Sequence, residues 1–212
     1  MARSSTSGVR EHTLRRLYFL VPGTTKGFYG GGLFAELQTV QLAQQICDAE
    51  VITYRQREAD HPFIDDVLPQ LQGNGQSEPS IFVVSWGFDV PKLLKKLHPH
   101  PVVYHAHSTG YGFRVSPSVP IIAVSRNTMS YWGHAAPNAP IFLLPNCISD
   151  AASNRYLERD IDVLVQARKS SEYLTQKLVP ALQEKCNVVV IDSFVDDLME
   201  LFNRSKVYLY DS

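Results

Sequence analysis

The chain has 212 residues, 44% hydrophobic and 19% charged, with a net charge of −1. That length suits one large domain, or one domain and part of another, and a near-neutral balance removes the case for general nucleic-acid affinity. No apolar run approaches the roughly 20 residues of a membrane-spanning helix, and Cys47, Cys147 and Cys186 lack zinc-ligand spacing and point to reduced thiols in a cytoplasmic protein.

Met1 to Arg16 is Ser/Thr/Arg-rich with no secretory apolar segment, and reads as a loose tail over residues 1–15. Leu17, Phe19, Leu20 and Val21 form a buried strand that Pro22 and Gly23 stop. GTTKGFYGGG follows, then an amphipathic helix to Ile46 with Leu33, Leu37, Val40 and Ile46 at helical spacing, and Phe34 and Leu42 widening the stripe. A helix that starts beside a glycine loop offers free N–H groups and a positive dipole end to an anion such as a diphosphate. The alternative is that these glycines serve a sharp turn, since neither Rossmann nor Walker A spacing is present.

Val51–Tyr54 is the next predicted strand, leaving a turn at Asp48–Glu50. His61–Leu71 reads as a short helix, GNGQSEPS as a loop, Ile81–Val84 as a buried strand and Val90–Leu97 as a short helix. Strands at Val102–Tyr104, Ile121–Val124 and Ile141–Leu144 follow, with a helical turn at Thr128–His134. Cys147 to Asp160 is polar and aperiodic, a connection between domains. Alternation resumes with strands at Val163–Val165, Val188–Ile191 and Val207–Tyr210, and helices at Ser171–Leu182 and Val195–Asn203. The expected class is therefore α/β, a first Rossmann-like domain over residues 16–150, a linker at 151–160 and an incomplete second unit over 161–212.

In open parallel sheets, ligands sit outside the carboxyl ends of the strands. Four predicted exits carry unusual residues: Gly30–Gly31–Gly32, His105 and His107, Ser125–Arg126, and Arg168–Lys169. Period-two geometry puts His105 and His107 on one side of the chain with Ala106 opposite. Two imidazoles at that spacing can bind a metal, but the sequence nominates no third ligand, and hydrogen bonding to a polyol or to nearby backbone is the stronger reading. Ser108, Thr109 and Tyr111 add hydroxyls of the kind that line sugar sites. Arg168 and Lys169, at a strand end before a helix, suit a diphosphate or a solvated basic edge. Lys92, Lys95 and Lys96 give the Val90–Leu97 helix a cationic side, as on an ordinary surface helix or one lying on an anionic membrane. Asp65–Asp66 and Asp196–Asp197 read as solvated helix positions.

The order YFLVPG with its glycine loop, VVYHAHS, IIAVSR, FLLPNCIS and VLVQARK resembles the group-1, family-4 glycosyltransferases of the GT-B architecture, over about residues 16 to 212. The resemblance implies two Rossmann-like domains facing across a cleft, and retaining, metal-independent transfer of a hexose. The donor would be a UDP- or GDP-sugar such as UDP-glucose, and the acceptor a polysaccharide or a lipid-linked glycan. It implies that Gly31 and Gly32 admit the donor diphosphate, that His107 contacts the donor sugar, and that Arg168 and Lys169 hold the diphosphate and stabilise the leaving nucleotide. His105, Ser108, Thr109, Tyr111 and Arg126 become candidate acceptor or sugar contacts. The protein would be cytoplasmic, with peripheral membrane contact through Lys92, Lys95 and Lys96.

The chain departs from the family pattern at three points. Arg168 and Lys169 are adjacent where the family spaces its pair, Cys147 stands where a glycine usually follows Asn146, and the E-x7-E segment that follows the family's donor pocket is missing between Lys169 and Ser212. The resulting expectation is a truncated chain, an acceptor-side domain with the first half of a donor domain. The alternative is a sugar- or nucleotide-binding fragment without turnover. A nucleotide-sugar epimerase or reductase would need a dinucleotide fingerprint that this loop does not supply.

Overall fold

The computed structural model describes residues 16–73, 80–148, 152–168 and 170–211, the side chains of 72 and 73 excepted. Residues 1–15, most of the GNGQSEPS loop and Lys169 lie outside the described residues. The chain divides after Cys147 into two compact units.

The first unit is a six-stranded, wholly parallel sheet of β1 (Leu17–Val21), β2 (Ala49–Thr53), β3 (Ile81–Val84), β4 (Val102–Ala106), β5 (Ile121–Ala123) and β6 (Ile141–Leu143), in the order β2-β1-β3-β4-β5-β6. Four helices make the longer connections: α1 (Gly31–Ala43), α2 (Ile64–Gly73), α3 (Val90–Leu97) and α4 (Arg126–Ala135). This is the Rossmann-like α/β class that the alternation predicts. The strand order reverses between β1 and β3, where such sheets open a crevice at their carboxyl ends.

Strand periodicity sorts the core into two faces. Tyr18, Leu20, Phe82, Val84, Tyr104, Ala106 and Ile121 pack with Ile64, Val67, Val90, Leu93, Leu97 and Trp132 from α2, α3 and α4. On the other face Phe19, Val21, Val51 and Val83 pack with Leu33 and Val40 of α1. The register Val83↔Val103 continues that second face along β4 to His105, so His105 points to the α1 side and Ala106 away from it.

Several boundaries and roles differ from the sequence reading. The β2 ladder opens at Ala49, pairing with Leu17, so the predicted turn at Asp48–Glu50 is partly strand, and Tyr54 leaves the sheet. Helix α1 stops at Ala43, and Ile46 is 73% exposed. Phe34 and Leu42 are exposed too, so the buried line of α1 is Leu33, Ala35, Glu36 and Val40. The α3 bounds are as predicted. Its apolar residues Val90, Leu93 and Leu97 are buried in the sheet core, its lysines are exposed, and Lys96 pairs with Asp65.

The second unit is a three-stranded parallel sheet of β7 (Ile161–Gln166), β8 (Val188–Ile191) and β9 (Ser205–Leu209), ordered β8-β7-β9. A wide π turn at Leu174–Leu178 leads into α5 (Val179–Gln183) where the sequence predicts one regular helix. Pro180 explains the widening, because it has no N–H to donate and its ring crowds the carbonyl four residues back. Helix α6 (Leu198–Arg204) starts three residues later than predicted, and Asp197 is its N-cap, accepting from Glu200 N at 2.9 Å. Asp197 also pairs with Arg155, so it is not simply a solvated position. Residues 152–160 run against α6. Buried Asn203 accepts from Arg155 N and donates to Ser153 O at 3.1 Å, while Arg204 grips Asp160 through two hydrogen bonds.

Candidate functional site

The glycine loop delivers α1 by way of Gly30, whose φ of −177° and ψ of 163° are open to any residue. None of Gly30, Gly31 and Gly32 has a positive φ, and a Cβ added at any of them meets nothing within 4 Å. The sharp-turn reading therefore does not hold for these three, whereas at Gly23 of the same loop an added Cβ would meet the Phe28 ring at 2.5 Å. Neither backbone conformation nor internal packing requires the three, which leaves an exposed, uncluttered backbone at the start of a helix. Gly30 has no side chain to cap the first N–H groups of α1.

One turn further along α1 stands Glu36, only 1% exposed. Its Oε2 accepts from His105 Nδ1 at 2.6 Å and His107 Nε2 at 2.9 Å, and the two rings lie 4.3 Å apart. The period-two expectation thus holds: both imidazoles reach the same carboxylate oxygen. Burial alone would raise the Glu36 pKa, but the hydrogen bonds and charge of His105 and His107 outweigh it, and the pKa falls below the ordinary value. Glu36 is an ionised carboxylate inside the protein. Its second oxygen, Oε1, is buried without a hydrogen-bond partner among the described residues, as is His105 Nε2.

The sequence reading found no third group beside the two histidines; the fold supplies Glu36. The signal was legible in principle. An acid three residues after Leu33 and four before Val40 falls on the apolar stripe of α1, and a carboxylate there must be paired. The three ligating atoms lie within 4.8 Å of one another, a separation that could hold a metal ion.

Other predicted residues disperse. The Ser108 carbonyl accepts from Trp132 Nε1 at 3.2 Å, which ties the post-β4 loop to α4. Tyr111 lies over Gly87, where an added Cβ would meet its ring at 2.2 Å, and it makes an edge contact with Phe88 at 5.1 Å. Tyr111 therefore belongs to the exit of β3. Thr109 is half-buried in its loop, and Arg126 is an exposed first residue of α4, whose N-cap is Ser125. In the second unit Arg168 follows β7 and stacks on Phe194, its guanidinium carbon 4.5 Å from the ring centroid. Lys169 lies outside the described residues.

A second polar cluster at the exits of β2 and β3 is invisible in the sequence. Asp89, 8% exposed, accepts from Tyr54 Oη at 2.7 Å and from Arg55 at 2.6 Å. Burial, with Asp89 beside it, pushes the Tyr54 phenol well above its usual pKa. Glu58 accepts from both the backbone and the hydroxyl of Thr24, which fastens the loop after β2 to the loop after β1. These contacts stiffen the carboxyl edge around the switch point.

No helix among the described residues is long and apolar enough to cross a membrane. No protein-family model matches the chain, and no curated protein matches it.

Proposed function

We propose that this chain belongs to a retaining glycosyltransferase, carrying a hexose from a nucleotide-diphosphate sugar to a glycan or lipid-linked acceptor. The observation that carries the reading is that α1 joins its two central motifs. The helix that begins at Gly31 and Gly32 also holds His107 through Glu36, one turn along. Four residues of helix span about 6 Å, so loop backbone and imidazole lie at the scale of a sugar diphosphate.

The residues divide the work as follows. The free N–H groups and open backbone at Gly31 and Gly32 receive diphosphate oxygens. His107, with its side chain 13% exposed and its Nε2 committed to Glu36, turns Nδ1 away from that carboxylate and toward a sugar hydroxyl. In the second unit, Arg168 is the cation that the family resemblance assigns to the charge growing on the departing nucleotide. Phe194 beneath its guanidinium holds the group in place without neutralising it.

Titration with UDP-glucose and GDP-mannose tests the reading. His107→Ala and Arg168→Ala are each expected to weaken binding of the preferred donor at least tenfold. Equal affinity in wild type and both variants overturns the assignment.

A second prediction separates function from stability. Gly32 occupies a helical position with open space around it, so Gly32→Ala is expected to raise stability by up to about 1 kcal/mol. The same methyl stands where the diphosphate would approach, so donor affinity falls. Urea unfolding and donor titration on one sample check both parts; unchanged donor affinity in the more stable variant counts against the loop's role.

A further inference from the structure

We infer that Glu36, His105 and His107 form a binding site for one divalent transition-metal cation of the zinc class. The ligands are a carboxylate oxygen of Glu36, Nδ1 of His105 and Nε2 of His107. The fourth position opens on the side where His107 reaches solvent.

Two observations support it without reference to sugar transfer. First, the donor set is chemically right. Two imidazoles and one carboxylate form the combination that holds zinc-class ions with a position left open, and the three ligating atoms already lie within 4.8 Å of each other. Second, the hydrogen bonding leaves the carboxylate half used. Both imidazoles bond to Oε2, while Oε1 of a side chain 1% exposed is buried with no donor among the described residues. A cation bound to Oε2 lies close enough to engage Oε1 of the same carboxylate as well, giving that atom a partner.

Geometry asks little of the fold. Ligands about 2.1 Å from a tetrahedral ion stand about 3.4 Å apart. The present 2.6 Å and 2.9 Å contacts open by less than 1 Å when the ion takes the place of the two N–H protons, which move to the other ring nitrogens or to solvent. The two histidines ligate through different nitrogens because His105 lies within β4 and His107 just past its end. Each ring therefore meets α1 at a different angle.

The test uses the full chain without a histidine tag, stripped with chelator and dialysed. Co²⁺ is added and visible absorption followed, and Zn²⁺ is titrated calorimetrically. Wild type is expected to take up one equivalent of Zn²⁺ saturably, and Co²⁺ to give the intense visible bands of a four-coordinate site. His107→Ala, folded by circular dichroism, is expected to lose more than about 100-fold in affinity, beyond the usual effect of disturbing a ligand's neighbour. Glu36→Gln is expected to weaken binding as well, and His134→Ala, exposed on α4, to leave it unchanged. Absence of saturable uptake by wild type, or wild-type affinity in both site variants, overturns the proposal. Because no nucleotide sugar enters the assay, its failure leaves the sugar-transfer reading untouched.

Discussion

Trp132→Ala is expected to destabilise the first unit by about 4 kcal/mol, within the range for emptying a buried aromatic site. Trp132 is fully buried, with its ring 5.1 Å from Tyr104 and 5.2 Å from both Phe113 and Tyr131. No small residue refills a space bounded by three other aromatics. The indole also donates to the Ser108 carbonyl, one residue beyond His107, so its loss frees the loop that carries the histidine. Trp132→Phe separates the two effects: it retains most of the ring and gives up the hydrogen bond, a difference of about 1 kcal/mol. Trp86 remains in the first unit as a fluorescence reporter, so urea unfolding reads that unit directly. A loss below about 1 kcal/mol in Trp132→Ala would mean that the aromatic cluster is not where the unit's stability resides.

His105→Leu is the second large effect, expected to cost about 3 kcal/mol in chelator. The substitution keeps an apolar volume but removes the shorter of the two hydrogen bonds to a buried carboxylate. Glu36 is then left with His107 alone, and an under-satisfied internal charge is far more costly than a missing contact. Adding Glu36→Leu removes that charge, and the double variant is expected to regain at least about 1 kcal/mol over His105→Leu. Simple additivity of the two single changes would show that Glu36 and His105 are not energetically coupled.

The difference between these two sites marks how far the chain could be read without its fold. Strand and helix alternation, the parallel sheet and the bounds of α3 were all legible. Each follows from local periodicity: two residues along a strand, 3.6 along a helix, with Pro and Gly as stops. The shared side of His105 and His107 was legible for the same reason. Errors gathered where a distant contact overrode a local preference. Ala49 joins β2 because Leu17 is there to pair with it, and α6 begins at Leu198 behind Asp197, which Arg155 holds from 42 residues away. Ile46 has an apolar side chain, yet α1 ends before it and leaves it outside the core.

The amino-acid order by itself therefore determined the class of fold, the position of the histidines at a strand's carboxyl end and the glycine loop before a helix. Backbone geometry dictates these within a few residues. Only the tertiary structure decided that Glu36 meets both histidines, across 69 and 71 residues of chain, and that Tyr111 leaves them to cover Gly87. Strand order and crossover place α1 over that face of β4, and no spacing within a single element encodes that choice.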